Sequence, residues 1–113
     1  MGTTHAEVAS NLLKEAAAFF INLGNENEQI AAQMNENARV FTQMADLLDH
    51  SPAGTIDGQT HGQMAGKLME DAANFFMALG EQNEPIKEQM DQNADIYKQI
   101  GSLVGTDPLG TMD

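Results

Sequence analysis

The chain is predicted to fold as an all-α four-helix bundle made of two tandemly duplicated antiparallel helical hairpins with pseudo-twofold symmetry. Two observations carry this. Residues 2–57 and 58–113 align without a gap at an offset of 56, with 24 of the 56 aligned positions identical by direct count. Within each copy, apolar residues recur at three- and four-residue spacing, the period of an amphipathic helix. At 113 residues the chain has the length of one domain, and each copy alone is at the size where a single core is marginal. The copies are therefore expected to fold onto each other as a single helical domain over 1–113.

Thr4 with Glu7, and Thr60 with Gln63, form capping boxes that start the first and third helices. Val8, Leu12, Ala16, Phe19 and Leu23 then recur on one face, as do Met64, Leu68, Ala72, Phe75 and Leu79. Gly24 and Gly80 are expected to stop these helices in the left-handed conformation a C-terminal cap commonly needs. Asn27 and Asn83 are expected to cap the next helices, with Pro85 in a first turn, where its missing N–H does no harm. Ile30, Met34, Asn37, Phe41, Met44 and Leu48 follow a strict four-three spacing, matched by Ile86, Met90, Asn93, Tyr97, Ile100 and Val104. These are coiled-coil-like seams. The break between the helices of each copy is short, so each copy is a hairpin and the simplest topology is up-down-up-down.

Phe19 and Phe20, like Phe75 and Phe76, stand about 100° apart around their helix, so the apolar face is wide. A wide face suits the inside of a bundle and equally a homodimer. The segment between the hairpins contains Pro52, Gly54 and Gly58 and is expected to be irregular. Its Pro-x-Gly-Thr-x-Asp pattern at 52–57 recurs at 108–113, which predicts a turn that folds back and packs Ile56 or Met112.

Five basic against 17 acidic residues leave a formal charge of −12, split as two against eight in the first copy and three against nine in the second. Such a field disfavours nucleic acid and anionic membrane and favours cationic partners or plain solubility. There is no cysteine, hence no disulfide framework or thiolate chemistry. The longest apolar run, Ala16 to Ile21, falls far short of the about 20 residues a membrane span needs. Without a basic leader followed by an apolar stretch, the chain reads as cytoplasmic.

His5, His50 and His61 are expected at one end of the bundle together with Asp49, Asp57, Asp107 and Asp113. Imidazole and carboxylate are ligands for a divalent transition metal, so His5, His61, His50, Asp57 and Asp113 form the candidate metal set. Against it, no His-x3-His pair or Glu-x-x-His motif fixes two ligands on one helical face, and a first-turn histidine, exposed or bonded locally, is the ordinary explanation. Asn37 and Asn93, with Gln33 and Gln89 one turn earlier, form a polar seam. With a pseudo-twofold axis through helices two and four, the two amides would bond across it and fix register; the alternative is a polar ligand pocket. Phe20 and Phe76 join these residues as candidate interaction positions. Of the eight methionines, Met64, Met69 and Met77 replace Val8, Leu13 and Ile21 of the other copy, which marks them as core filler.

No nucleophile with a base, phosphate loop or Arg clamp is present, and no cofactor is implied. The expected function is a non-catalytic protein-interaction module: a small acidic adaptor or chaperone-like bundle whose partner is basic or an amphipathic helix. The alternative is a bundle binding a metal or small ligand at its His and Asp end.

Overall fold

The computed structural model describes residues 3–111. Four helices, α1 (His5–Glu26), α2 (Ala31–His50), α3 (His61–Gln82) and α4 (Lys87–Thr106), form an all-α four-helix bundle of two hairpins. α1 packs closely on α2 and α3 on α4; α2 also borders α3 and α1 borders α4, in up-down-up-down order. Among the described residues no helix is long and apolar enough to cross a membrane.

Both capping boxes form: Thr4 Oγ1 accepts from the Glu7 N–H at 3.1 Å, and Thr60 Oγ1 from the Gln63 N–H at 3.0 Å. The helix ends differ from the expectation. α1 and α3 run through Gly24 and Gly80, which are buried and take no left-handed conformation. Their glycine is needed for close approach instead: a Cβ on Gly24 would lie 3.2 Å from the Ala31 Cα and the Met34 Cβ, and one on Gly80 would lie 3.0 Å from the Met90 Cβ. Asn27 and Asn83 do not cap the following helices. Their side-chain N–H groups bond backward, to the Leu23 and Leu79 carbonyls at 3.2 and 3.0 Å, satisfying orphan acceptors at the end of α1 and α3. A single 3₁₀ turn, Glu28–Ile30 or Glu84–Ile86, then leads into the next helix, with Pro85 at its start.

The core follows the seams. Leu13, Leu48, Met69 and Val104 are its largest fully buried apolar side chains. The contact across the diagonal is aromatic: Phe19 meets Phe76 at 5.4 Å and Phe20 meets Phe75 at 5.5 Å, both edge to face. Each of these pairs maps onto the other at the 56-residue offset, so the pseudo-twofold axis passes between α1 and α3. It does not pass through helices two and four. Phe20 and Phe76 are only 2% and 3% exposed and belong to the core, each also bordering a surface cleft between the hairpins.

The segment between the hairpins has more order than expected. Thr55–Ile56 (β1) pairs antiparallel with Gln59–Thr60 (β2) around Asp57 and Gly58, whose φ values are +53° and +86°. Positive φ at both central residues defines the type I′ turn that an Asp-Gly pair favours. Thr4 bridges Thr111 in the same antiparallel sense.

Candidate functional site

The repeated tail and the paired histidines explain each other. The first N–H groups of a helix have no partner within it. In α3, the His61 N–H donates to the Gly54 carbonyl at 2.8 Å, while ring Nδ1 is 2.6 Å from the Ser51 carbonyl. In α1, the His5 N–H donates to the Gly110 carbonyl at 2.8 Å, and Nδ1 lies 2.7 Å from the Asp107 carbonyl. A carbonyl can only accept, so Nδ1 carries the proton in both rings. Gly54 and Gly110 leave room for the imidazoles, since a Cβ there would stand 2.7 and 3.0 Å from the His61 and His5 Cε1 atoms. The closing segment of each copy thus caps the first helix of the other. Ile56 is exposed and packs in no core; Met112 lies outside the described residues.

This arrangement takes His5 and His61 out of the candidate metal set. Both rings are buried and bonded to backbone, whereas His50 is exposed and bonds its own helix at the Asp46 carbonyl, 2.8 Å away. Among the described residues no group of three or more His, Asp or Glu side chains is placed to hold a metal ion. His5, His61, His50 and Asp57 are therefore not assembled into a centre, and Asp113 lies outside the described residues.

Asn37 and Asn93 do not face each other. They stand half-buried in two separate clefts, with Gln33 and Gln89 exposed one turn away. The first cleft, about 260 Å³, is walled by Phe20, Phe41, Phe75, Val40, Leu68 and Ala72, with Asn37 and Asp71 as its polar groups. The second, about 250 Å³, is walled by Phe76, Tyr97, Phe19, Ile96, Leu12 and Ala16, with Asn93 and Glu15. Every lining residue of one corresponds to a lining residue of the other at the 56-residue offset. Five pairs are identical; the other three are Val for Ile, Phe for Tyr and Asp for Glu.

A larger trough continues from the first cleft along the α2–α3 seam, sharing Val40, Leu68 and Asp71 with it. Its volume is about 450 Å³. Met44, Leu47, Met64 and Ile56 line it, and Gln43, Gln59, Gln63 and Lys67 stand around it. The β1–β2 hairpin closes its end through Ile56 and Gln59. No single helix face displays this surface; it exists because α2 and α3 run antiparallel beside each other.

Tyr97 is the chemical difference between the two clefts. Its hydroxyl donates to the Leu12 carbonyl at 2.6 Å, a bond Phe41 cannot make in the other cleft. Burial pushes the phenol well above its ordinary value of 10.0, and the Glu15 charge adds to the shift. A raised folded-state pKa means that the unfolded chain loses its proton first. The stability this provides is complete below about pH 10 and falls as pH rises above it, by up to about 1.4 kcal/mol per pH unit. Urea unfolding followed by circular dichroism from pH 9 to 11 should show this decline, and Tyr97→Phe should flatten it while costing about 1 kcal/mol at neutral pH. Parallel curves for the two proteins would show that the phenol is not the titrating group.

Asp49 on α2 reaches α1: its carboxylate pairs with Lys14 at 2.9 Å. The Ser10 hydroxyl, first, and Lys14, second, hold its carboxyl below the usual range. The other ion pairs among the described residues, Arg39 with Glu36 and Lys87 with Asp91, lie within single helices. Glu15 and Asp71, at the mouths of the clefts, belong to none of these pairs.

Comparison of the chain with protein-family models, with curated protein sequences and with solved structures finds no match. Fold and surface together define a small acidic helical bundle with apolar clefts between its hairpins.

Proposed function

We propose that this protein is a non-catalytic interaction module, a small adaptor or chaperone-like bundle that receives a basic amphipathic helix in the trough between α2 and α3. The trough supports this reading: an apolar floor with Met44 and Met64, a rim of Gln43, Gln59, Gln63, Lys67 and Asp71, and a chain of net charge −12. Methionine side chains repack around varied apolar surfaces, which suits a groove that accepts a helix. The acidic field speeds the encounter with a cationic segment and makes binding fall with salt. A trough bounded by two antiparallel helices leaves space for a third helix lying along the seam.

The test is titration with a synthetic 18-residue peptide carrying leucines on one helical face and lysines on the other. The methyl signals of Met44 and Met64 should shift together, and binding should weaken between low and physiological salt. Met64 is half-buried, so Met64→Lys should leave the fold intact and weaken binding at least about tenfold by placing a cation among apolar and cationic groups. Met44 and Met64 signals that stay put at millimolar peptide would remove the proposal.

A further inference from the structure

We infer that the molecule is bivalent: the clefts at Asn37 and at Asn93 are equivalent receptors, each taking one lysine or arginine side chain from a docked helix of a partner protein. The inference rests on the docking reading above and extends it to the α1–α4 side of the bundle.

The carboxylates carry the argument. Across the repeat, an acid is aligned with an acid at three places only: Glu15 with Asp71, Glu28 with Glu84, and Asp57 with Asp113. Glu28 and Glu84 stand in the first turn of a 3₁₀ helix, where the backbone end is positive. Asp57 forms the type I′ turn between β1 and β2. Glu15 and Asp71 are left without such a role. Both are exposed in mid-helix, both are outside the ion pairs among the described residues, and both stand at the mouth of a cleft with phenylalanine walls. Elsewhere the exposed acids drift freely between the copies, to Gln at 63, 82 and 92, to Ser at 102 and to Gly at 105.

The cleft chemistry names the occupant. A carboxylate beside a carboxamide oxygen is a pair of acceptors for an ammonium or guanidinium group. The phenyl walls beneath suit the aliphatic stem of a long cationic side chain, which buries its methylenes while its head stays near water. At about 250 and 260 Å³, each cleft is smaller than the roughly 300–1,000 Å³ of a drug-sized ligand site and suits one side chain. The first cleft opens into the α2–α3 trough through Val40, Leu68 and Asp71, so a helix lying in the trough brings its side chains to Asn37. A partner offering one such side chain to each cleft would be held through both sides of the bundle, with the gain in avidity that linked sites provide.

The same leucine–lysine peptide tests this with the full-length protein. Calorimetry at low salt should give two peptides per chain, with amide shifts at both Asn37 and Asn93. Asp71→Asn should weaken the site at Asn37 about tenfold and spare the other, and Glu15→Gln should do the reverse. One peptide per chain, displaced by Asp71→Asn and indifferent to Glu15→Gln, would overturn the bivalent assignment and leave the trough reading standing. Absence of any binding would end both. If n-hexylammonium chloride alone saturates the two clefts and the peptide does not compete with it, the occupant is a free amine and the assignment to a partner's side chain is wrong.

Discussion

Phe20→Ala should cost about 3–5 kcal/mol of stability, the range for deleting a buried aromatic ring. Phe20 is 2% exposed and meets Phe41 edge to face at 5.1 Å within its own hairpin and Phe75 at 5.5 Å in the other. The ring therefore joins the two levels of the fold, hairpin formation and hairpin pairing. A domain of this size has roughly 5–15 kcal/mol in total, so the loss should lower the melting temperature by more than about 10 °C. Phe76→Ala should do the same, because Phe76 meets Tyr97 at 5.1 Å and Phe19 at 5.4 Å. Phe19 and Phe75 are only partly buried and should cost less. In a double-mutant cycle, Phe20 and Phe75 should couple by about 0.5–1.5 kcal/mol, as edge-to-face pairs do. A Phe20→Ala loss below about 2 kcal/mol, or no coupling across the diagonal, would mean that the hairpins are not joined through these rings.

The features legible in the sequence are those set by neighbours along the chain. Thr4 with Glu7 and Thr60 with Gln63 act across three residues, and the capping boxes form where the pattern puts them. The four-three seams likewise bury Met34, Phe41 and Leu48 in α2, and Met90, Tyr97 and Val104 in α4. Gly24 was ambiguous for a local reason: glycine serves both a positive φ and a close contact. Only the position of Ala31 and Met34 across the turn decides between them. The Asp57-Gly58 pair is a strong hairpin signal, obscured by flanking strands only two residues long.

The histidines and the tail show where reading along the chain stops. Both were visible as repeated features, yet the Nδ1 partner of His5 is the carbonyl of Asp107, 102 residues away. No spacing rule connects them, since the contact follows from the closing segment of the second copy meeting the start of the first. The clefts were hidden for a related reason. Asn37 was readable as a polar position on an apolar seam, but Asp71 and Phe75 come from α3 and Phe20 from α1. A site divided among three helices has no signature in any one of them. What the sequence did offer was an acid retained at Glu15 and Asp71, one of three such matches across the repeat.

Gly62→Ala should destabilise the protein by about 2 kcal/mol, against the sign of helix propensity, which favours alanine over glycine by about 1 kcal/mol in a helix interior. In the second hairpin, Gly62 and Gly66 on α3 face Gly101 and Gly105 on α4. The first hairpin has Ala6, Ser10, Ala45 and Asp49 at the matching positions. A Cβ on Gly62 would fall 2.2 Å from the Val104 carbonyl oxygen and one on Gly66 2.6 Å from the Gly101 carbonyl oxygen. Both obstacles are backbone atoms, which cannot rotate aside, so α3 and α4 would have to separate by about 1 Å and loosen the layer around Met69 and Val104. Gly105 sits at the open end of the same seam, its Cβ position 4.0 Å from the Gly62 carbonyl oxygen. Gly105→Ala should therefore stabilise by about 0.5–1 kcal/mol, through lower chain entropy in the unfolded state. Urea midpoints of the two variants on either side of the parent value identify close helix contact as the reason for the glycines. If both variants stabilise the protein, the second hairpin is more loosely packed than these distances require.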